Sequence, residues 1–245
     1  MDEKLPQKPL ISVIIPLYNH KNTIAACLQS IQAQTYPHIE IIVVDDGSTD
    51  GGSEIAKAFE NVMVLQQRNS GAPVARNAGS AKSHGDFLLF CDADILMQPQ
   101  MLETMYETLT EHPEHAFAYS AFTFGYKLFH GIPFDRERLF VSNYISTMSL
   151  IRREDFPGFD PALKRFQDWD LWLTVVKNGG TGICCSLYKP LFKTLIDGKS
   201  RIGTSWLPSI LYKMPLIASF IAPKRIRKYR EAREAICAKH PEVQV

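Results

Sequence analysis

Apolar positions in the first half of the chain follow two rhythms in turn. The run LISVIIPLYN (10–19) is nearly continuous and rich in β-branched residues, which predicts a strand buried on both faces. Ile24, Cys27, Leu28 and Ile31 then recur at i, i+3, i+4 and i+7, the stripe of an amphipathic helix. IEIIVVDDGS (39–48) returns to the strand pattern and runs into acids and glycine, and NVMVLQQ (61–67) predicts a third strand. SGAPVARNAGSAKS (70–83) predicts a helix, with Ser70 as its N-cap, Pro73 in the first turn, and Ala75, Ala78 and Ala81 as good helix formers. DFLLFCDAD (86–94) predicts a fourth strand, and a helix from about Pro99 carries Met101, Leu102, Met105 and Leu109 on one face. Strand and helix therefore alternate through residue 111, the pattern of an α/β protein with a parallel sheet and helices on both sides.

The second half is less regular. HAFAYSAFTFGYKLF (115–129) is aromatic and strand-like, residues 130–143 read as a mobile loop, and NYISTMSLIRR (143–153) reads as a further strand. QDWDLWLTVVKNGG (167–180) predicts a helix with Leu171, Trp172, Val175 and Val176 on its apolar face and Gly179–Gly180 as its end.

Composition narrows the class without deciding it. The chain has 245 residues, 45% hydrophobic and 22% charged, ordinary values for a globular protein. A formal net charge of +1 gives no global field favouring nucleic acid, so no nucleic-acid partner is expected. The five cysteines lack metal-ligand spacing; Cys27 and Cys91 read as small core hydrophobes, which suits a reducing compartment. The segment MDEKLPQKPL is polar and does not read as a signal peptide, and no uncharged apolar run reaches the ~18 residues of a membrane span. A cytoplasmic location, at or off the inner face of the membrane, is expected.

In parallel sheets ligands bind beyond the carboxyl ends of the strands. Three polar clusters fall at those ends: PLYN after the first strand, DDGSTD after the second and DAD after the fourth. In DDGSTD an aspartate can accept hydrogen bonds from a nucleobase or ribose, or the segment is an ordinary turn with Asp50 as a cap. A calcium loop is excluded, because Lys57 stands where the bidentate Glu belongs. Asp92 and Asp94 are like charges with one small residue between them. They are either a solvated turn or a two-carboxylate site for a hard cation, Mg²⁺ or Mn²⁺, completed by the phosphates of a substrate. Asp168 shares a helix face with Leu171, Trp172 and Val175. At the edge of a core, desolvation raises a carboxyl pKa toward that of a general base; equally, an acid there complements the helix N-terminus. Asp170 falls on the other side, with Thr174 and Lys177. Arg76 and Asn77 lie on a helix that begins at the ligand rim, where Arg76 either reaches a phosphate or is simply solvated. No Gly-x-Gly-x-x-Gly and no P-loop occurs.

Taken together, SVIIPLYNH, IIVVDDGSTDG, NSGAPVARNAG, FLLFCDAD and QDWDLWLT resemble glycosyltransferase family 2 in order and approximate spacing, over roughly residues 10–200. The resemblance implies an inverting enzyme of GT-A type: a Rossmann-like, mostly parallel central sheet flanked by helices, here with a C-terminal helical extension. It implies a nucleotide-sugar donor, most often a uridine diphosphate sugar, and a glycan or lipid-linked acceptor. By match, Pro16 and Tyr18 line the base pocket and Asp45 or Asp46 contacts uracil or ribose. Asp92 and Asp94 match the metal motif, in which the first acid often touches the ribose and the last contacts Mn²⁺ or Mg²⁺. Asp168 matches the catalytic base. Many relatives carry Glu-Asp there, whereas this chain has Gln167–Asp168. In IDGKSRIGTSW (196–206), Lys199, Ser200 and Arg201 are candidates to meet the diphosphate. The Gln-x-x-Arg-Trp signature of processive synthases is absent, so one sugar per encounter is expected.

The expected organisation is one glycosyltransferase domain over 1–205, with a nucleotide-binding half at about 10–111 and an acceptor half at about 112–205, followed by an extension over 206–245. That tail pairs WLPSILYKMPLIASFIAP (206–223) with the basic KRIRKYREAR (224–233). It reads either as a helix packed on the domain or, through 206–233, as a peripheral membrane contact. Two rivals stand beside the transferase: a sugar nucleotidyltransferase, which would need a glycine-rich loop that PLYNHKNT does not offer, and a catalytically silent nucleotide-sugar-binding module.

Overall fold

The computed structural model describes residues 8–195 and 223–243. A seven-stranded sheet forms the centre. Its strands are β1 (Ile11–Leu17), β2 (Ile39–Asp45), β3 (Val62–Gln66), β4 (Phe87–Phe90), β6 (Phe117–Ser120), β9 (Leu150–Arg152) and β10 (Gly182–Ser186), in the spatial order β10-β6-β9-β4-β1-β2-β3. β1 pairs in parallel with both β2 and β4, with Leu17 opposite Asp45 and Ile14 opposite Phe90. Only β9 runs against its neighbours. A second sheet of four short strands, in the order β5-β11-β7-β8, joins β5 (Ile95–Met97), β7 (Phe122–Phe124), β8 (Lys127–Phe129) and β11 (Phe192–Thr194).

The continuous apolar run of β1 is explained by cover on both faces. Ile11, Val13, Ile15 and Leu17 belong to one core, with Ile24, Cys27, Leu28 and Ile31 of helix α1 (Ile24–Gln32) and Met101, Leu102, Met105 and Leu109 of α4 (Met101–Glu111). Ile14 faces the other way, into a core shared with Leu88, Phe90, Phe117 and the tryptophans of α6 (Gln167–Lys177). Helix α3 (Ala72–Lys82) lies close on β1 and β2, and Gly79 permits that approach. A Cβ at Gly79 would meet Ile14 Cγ2 at 2.5 Å and Val44 Cγ2 at 3.1 Å.

Several expectations change in detail. The N-cap of α3 is Gly71 rather than Ser70, and no side chain caps it. Residues 130–143 contain a helix, α5 (Arg136–Val141), whose N-cap Asp135 accepts a hydrogen bond from Arg138 N at 3.1 Å. The aromatic run 115–129 divides into β6, β7 and β8, shared between the two sheets. The 143–153 strand shortens to β9, and a short helix α2 (Gly52–Lys57) follows the β2 loop. The C-terminal helix α7 (Pro223–Lys239) is described, and its Ile236, with Val243 beyond it, is buried in the core that holds Trp169 and Trp172. The segments 196–206 and 206–222, including Lys199, Ser200 and Arg201, lie outside the described residues. Among the described residues no helix is long and apolar enough to cross a membrane.

Candidate active site

The polar clusters gather at the carboxyl rim of the central sheet. Parallel pairing of β1 with β2 and with β4 brings the PLYN, DDGSTD and DAD segments to the same edge. Asn19, in the left-handed region at φ 56°, ties the first two together: its N–H donates to Ser48 Oγ at 3.1 Å and its Oδ1 accepts from Thr49 N at 2.8 Å. Pro16 is half-buried in β1 and Tyr18 is exposed beyond its end.

Asp45 and Asp46 are only 3% and 4% exposed, and both are hydrogen-bonded. Asp45 Oδ1 accepts from Ser48 N at 2.9 Å and Oδ2 from Gln66 Nε2 at 3.4 Å. Burial pushes its pKa up, but hydrogen bonds from Ser48, Ser53 and Gln66 outweigh that and hold it below the ordinary carboxyl value. Asp46 is caged by the loop that enters α3. Its Oδ1 accepts from Ser70 N at 2.7 Å and Gln67 Nε2 at 2.8 Å, and its Oδ2 from Gly71 N at 2.8 Å. Gly71 reaches that position at φ 95°, which favours glycine. Asp46 thus organises the loop: Oδ1 already accepts two bonds, and Oδ2 keeps a second lone pair for a ligand.

Arg76 is the centre of the constellation. It is 5% exposed, and its guanidinium bridges two segments far apart in sequence. Nη2 donates to Asp92 Oδ1 at 2.6 Å and Nη1 to Gln167 Oε1 at 2.7 Å, while the guanidinium stacks 5.2 Å from the Phe159 ring centroid. The fixed positive partner of Asp92 is therefore the protein's own arginine. Gln167 accepts from Arg76 and donates through Nε2 to Leu163 O at 3.0 Å, a double role that an ionised glutamate, which has no donor, would not fill. Asn77 clamps the same region: its Nδ2 donates to Phe159 O at 2.7 Å and its Oδ1 accepts from Phe159 N at 2.8 Å.

Asp168 follows Gln167 in the first turn of α6. Desolvation raises its pKa, opposed by a hydrogen bond from the Asn143 side chain, by the backbone N–H of Trp169 at 3.0 Å, and by the positive charge of Arg76. Asn143 Oδ1 is buried without a hydrogen-bond partner among the described residues, while the other end of that amide serves Asp168. Nothing in the sequence pattern singles out Asn143, a lone amide in a loop. Asp170, on the other side of α6, is 2% exposed and bonded to Lys239 and His240.

The donor chemistry suits a hard cation in one specific way. Asp92 and Asp94 are half-buried carboxylates around a tight turn in which Ile95 N donates to Asp92 O at 3.2 Å, and the Asp94 carbonyl accepts from Leu195 N at 2.7 Å. Among the described residues no group of three or more His, Cys, Asp or Glu assembles. The site fits a Mg²⁺ or Mn²⁺ that takes one or two carboxylates and fills its remaining positions from phosphates and water.

Fold and site together define an α/β protein whose charged cluster lies on the carboxyl rim of a mostly parallel sheet. The description Glycosyl transferase family 2 matches residues 12–167, and the chain belongs to that family. TuaG of Bacillus subtilis (strain 168), named as a glycosyltransferase of teichuronic acid biosynthesis, is 31% identical over 216 residues, covering 78% of this chain and 83% of that protein. The glycosyltransferase GlyA of Streptococcus pneumoniae serotype 4 is 41% identical over 106 residues, which span 42% of this chain but 15% of GlyA. The crystal structure of S. aureus TarS 1–349 in complex with UDP superposes with a TM-score of 0.63 at 25% identity, covering 76% of this chain and 60% of that one. The mannosyltransferase PcManGT of Pyrobaculum calidifontis, in complex with GDP-Man and Mn²⁺, gives a TM-score of 0.64 at 19% identity over 82% of this chain and 61% of that one. The fold is of GT-A type.

Proposed function

We propose that the protein is a metal-dependent, inverting glycosyltransferase that moves one sugar from a nucleoside diphosphate sugar, a UDP-sugar foremost, to an acceptor hydroxyl. One observation carries this reading: Arg76 joins Asp92, at the end of β4, to the turn that presents Asp168, whose pKa burial raises. A cluster that couples a phosphate-side carboxylate to a candidate base is what transfer from an activated sugar needs.

On this reading, Pro16, Tyr18, Asp45 and Asp46 hold the nucleoside. Asp92 and Asp94 would hold Mn²⁺ or Mg²⁺, which when bound neutralises the leaving diphosphate as a Lewis acid. Asp168 accepts the proton of the acceptor hydroxyl, and that oxygen attacks the anomeric carbon from the face opposite the diphosphate, inverting the configuration. Arg76 holds the Asp92 carboxylate in place through Nη2 and fixes the base turn through Gln167. The name of TuaG and the ligands of TarS and PcManGT support a nucleotide-sugar donor and a role in cell-surface polysaccharide synthesis. A glycan or lipid-linked acceptor at the cytoplasmic face is part of the proposal. Peripheral membrane contact through 206–233 belongs to the same proposal.

The test is a thermal-shift screen of nucleotide sugars with and without Mn²⁺. A ligand that binds only the folded state raises the melting temperature by mass action. Stabilisation by a UDP-sugar that needs Mn²⁺ and disappears in Asp94→Asn is expected. Equal stabilisation with and without the metal would refute the metal assignment, and no stabilisation by any nucleotide sugar would refute the donor class.

A further inference from the structure

Helix α6 presents Asp168 in a first turn that has no cap of its own. Its N-cap residue, Phe166, sits in the left-handed region at φ 58° and ψ 29° and makes no side-chain cap bond. A bulky residue there is strained and persists only where its surroundings hold it.

Part of those surroundings is Trp169 of the same helix, with ring centroids 5.5 Å apart, and part comes from α7 and the residues after it. The Tyr229 ring meets Phe166 edge-on, with centroids 5.4 Å apart, and the Arg233 guanidinium lies 5.6 Å over the Trp169 ring. His240 Nε2 donates to Asp170 Oδ1 at 2.7 Å. Lys239 Nζ donates to Asp170 Oδ2 at 2.9 Å and to Asp160 Oδ2 at 2.9 Å. Asp170 and His240 are 2% and 3% exposed, and Ile236 and Val243 fill the same apolar core as Trp169. All of these polar and ring contacts fall on Phe166, Trp169 and Asp170, the residues that flank Asp168, or on Asp160 in the loop that leads to them. Arg76 grips the same turn from the other side, at Gln167. None of these α7 contacts touches Asp45, Asp46, Asp92 or Asp94.

We propose that residues 223–243 form a latch that sets the position of the Asp168 carboxylate, with His240 as the positioning residue and Lys239 as its support. The inference rests on the reading of Asp168 as the base. Releasing the latch lets Phe166 leave its strained conformation, which moves Asp168 while leaving the nucleotide side intact. A displacement of about 1 Å at a catalytic group costs up to about 10²-fold in rate.

The experiment compares His240→Ala with His240→Gln, whose amide N–H reaches as far as Nε2. UDP binding in the presence of Mn²⁺ is measured by calorimetry, turnover by hydrolysis of UDP-GlcNAc, and backbone amide exchange over residues 166–170. The latch predicts that His240→Ala binds UDP within about twofold of the parent protein, turns over at least about tenfold slower and exchanges faster at 166–170. His240→Gln recovers most of the turnover. If His240→Ala does not fold, Lys239→Met, at a half-exposed position, shows the same split more mildly. Unchanged turnover, a joint fall in turnover and UDP affinity, or a glutamine variant no better than alanine overturns the proposal. If the parent protein hydrolyses no UDP-GlcNAc, exchange decides, and unchanged exchange at 166–170 in His240→Ala overturns the latch. Loss of the base assignment itself registers separately, as Asp168→Asn with full turnover.

Discussion

Replacing Arg76 with leucine removes the cation that joins Asp92 to Gln167, and the structure sets the size of the effect. The guanidinium loses two bonds, at 2.6 Å to Asp92 and 2.7 Å to Gln167, and its stacking on Phe159. Hydrogen bonds to a charged group contribute ~1.5–3 kcal/mol each, and cation–π stacking ~0.5–2 kcal/mol. Breaking a fully buried ion pair costs about 3–5 kcal/mol, mostly because the remaining charge is stranded. Here Arg76 is buried but the Asp92 side chain is 40% exposed, so water recovers part of that loss. Leucine also fills part of the vacated space. The expected destabilisation is about 3 kcal/mol, or roughly 6–12 °C in melting temperature for a chain of this length. Arg76→Lys is intermediate, because an ammonium cannot reproduce the planar fork that meets both partners. Urea denaturation monitored by tryptophan fluorescence gives the number. A loss below about 1 kcal/mol, the size of an exposed ion pair, would refute the claim that this arginine is a buried bridge.

Gly79→Ala places a methyl 2.5 Å from Ile14 Cγ2, and the overpacking cost of ~1–3 kcal/mol exceeds the ~1 kcal/mol gain in helix propensity, so denaturation should find the variant less stable. A neutral or stabilised variant would contradict the close packing of α3 on β1. Asp45 has a folded pKa below its ordinary value, so its contribution is present above about pH 4 and is lost as pH falls through the folded pKa. Asp45→Asn should therefore flatten the acid arm of a stability-versus-pH curve, and an unchanged acid arm would show that those hydrogen bonds do not favour the charged form.

How much of this was legible beforehand varies by element. β1 and β2 were readable because two-sided burial leaves a continuous apolar run, and α1, α4 and α6 because their stripes repeat at helical spacing. The short α2, β5, β10 and β11 were not, because three to six residues carry too little periodicity and tertiary pairing defines them. The rim acids were legible as a group, since parallel register forces loops after β1, β2 and β4 onto one edge. Their partners were not. Arg76 read as a candidate for phosphate, yet folding turns it inward to Asp92 and Gln167. Asp170 read only as the side of α6 away from Asp168, and nothing in that reading showed that α7 covers that side and buries it. Asn143 and the left-handed Phe166 carry no local signal, because both depend on contacts made from elsewhere in the chain.

The central claim is that Asp168 is the base of a sugar transfer whose donor is held by other residues. Asp168→Asn keeps the shape of the side chain and removes its capacity to take a proton. Donor binding and turnover measured together on that variant test the claim most directly. Nucleotide-sugar affinity within about twofold of the parent protein is expected, with turnover lower by ~10²–10⁴. Turnover near that of the parent protein would contradict it.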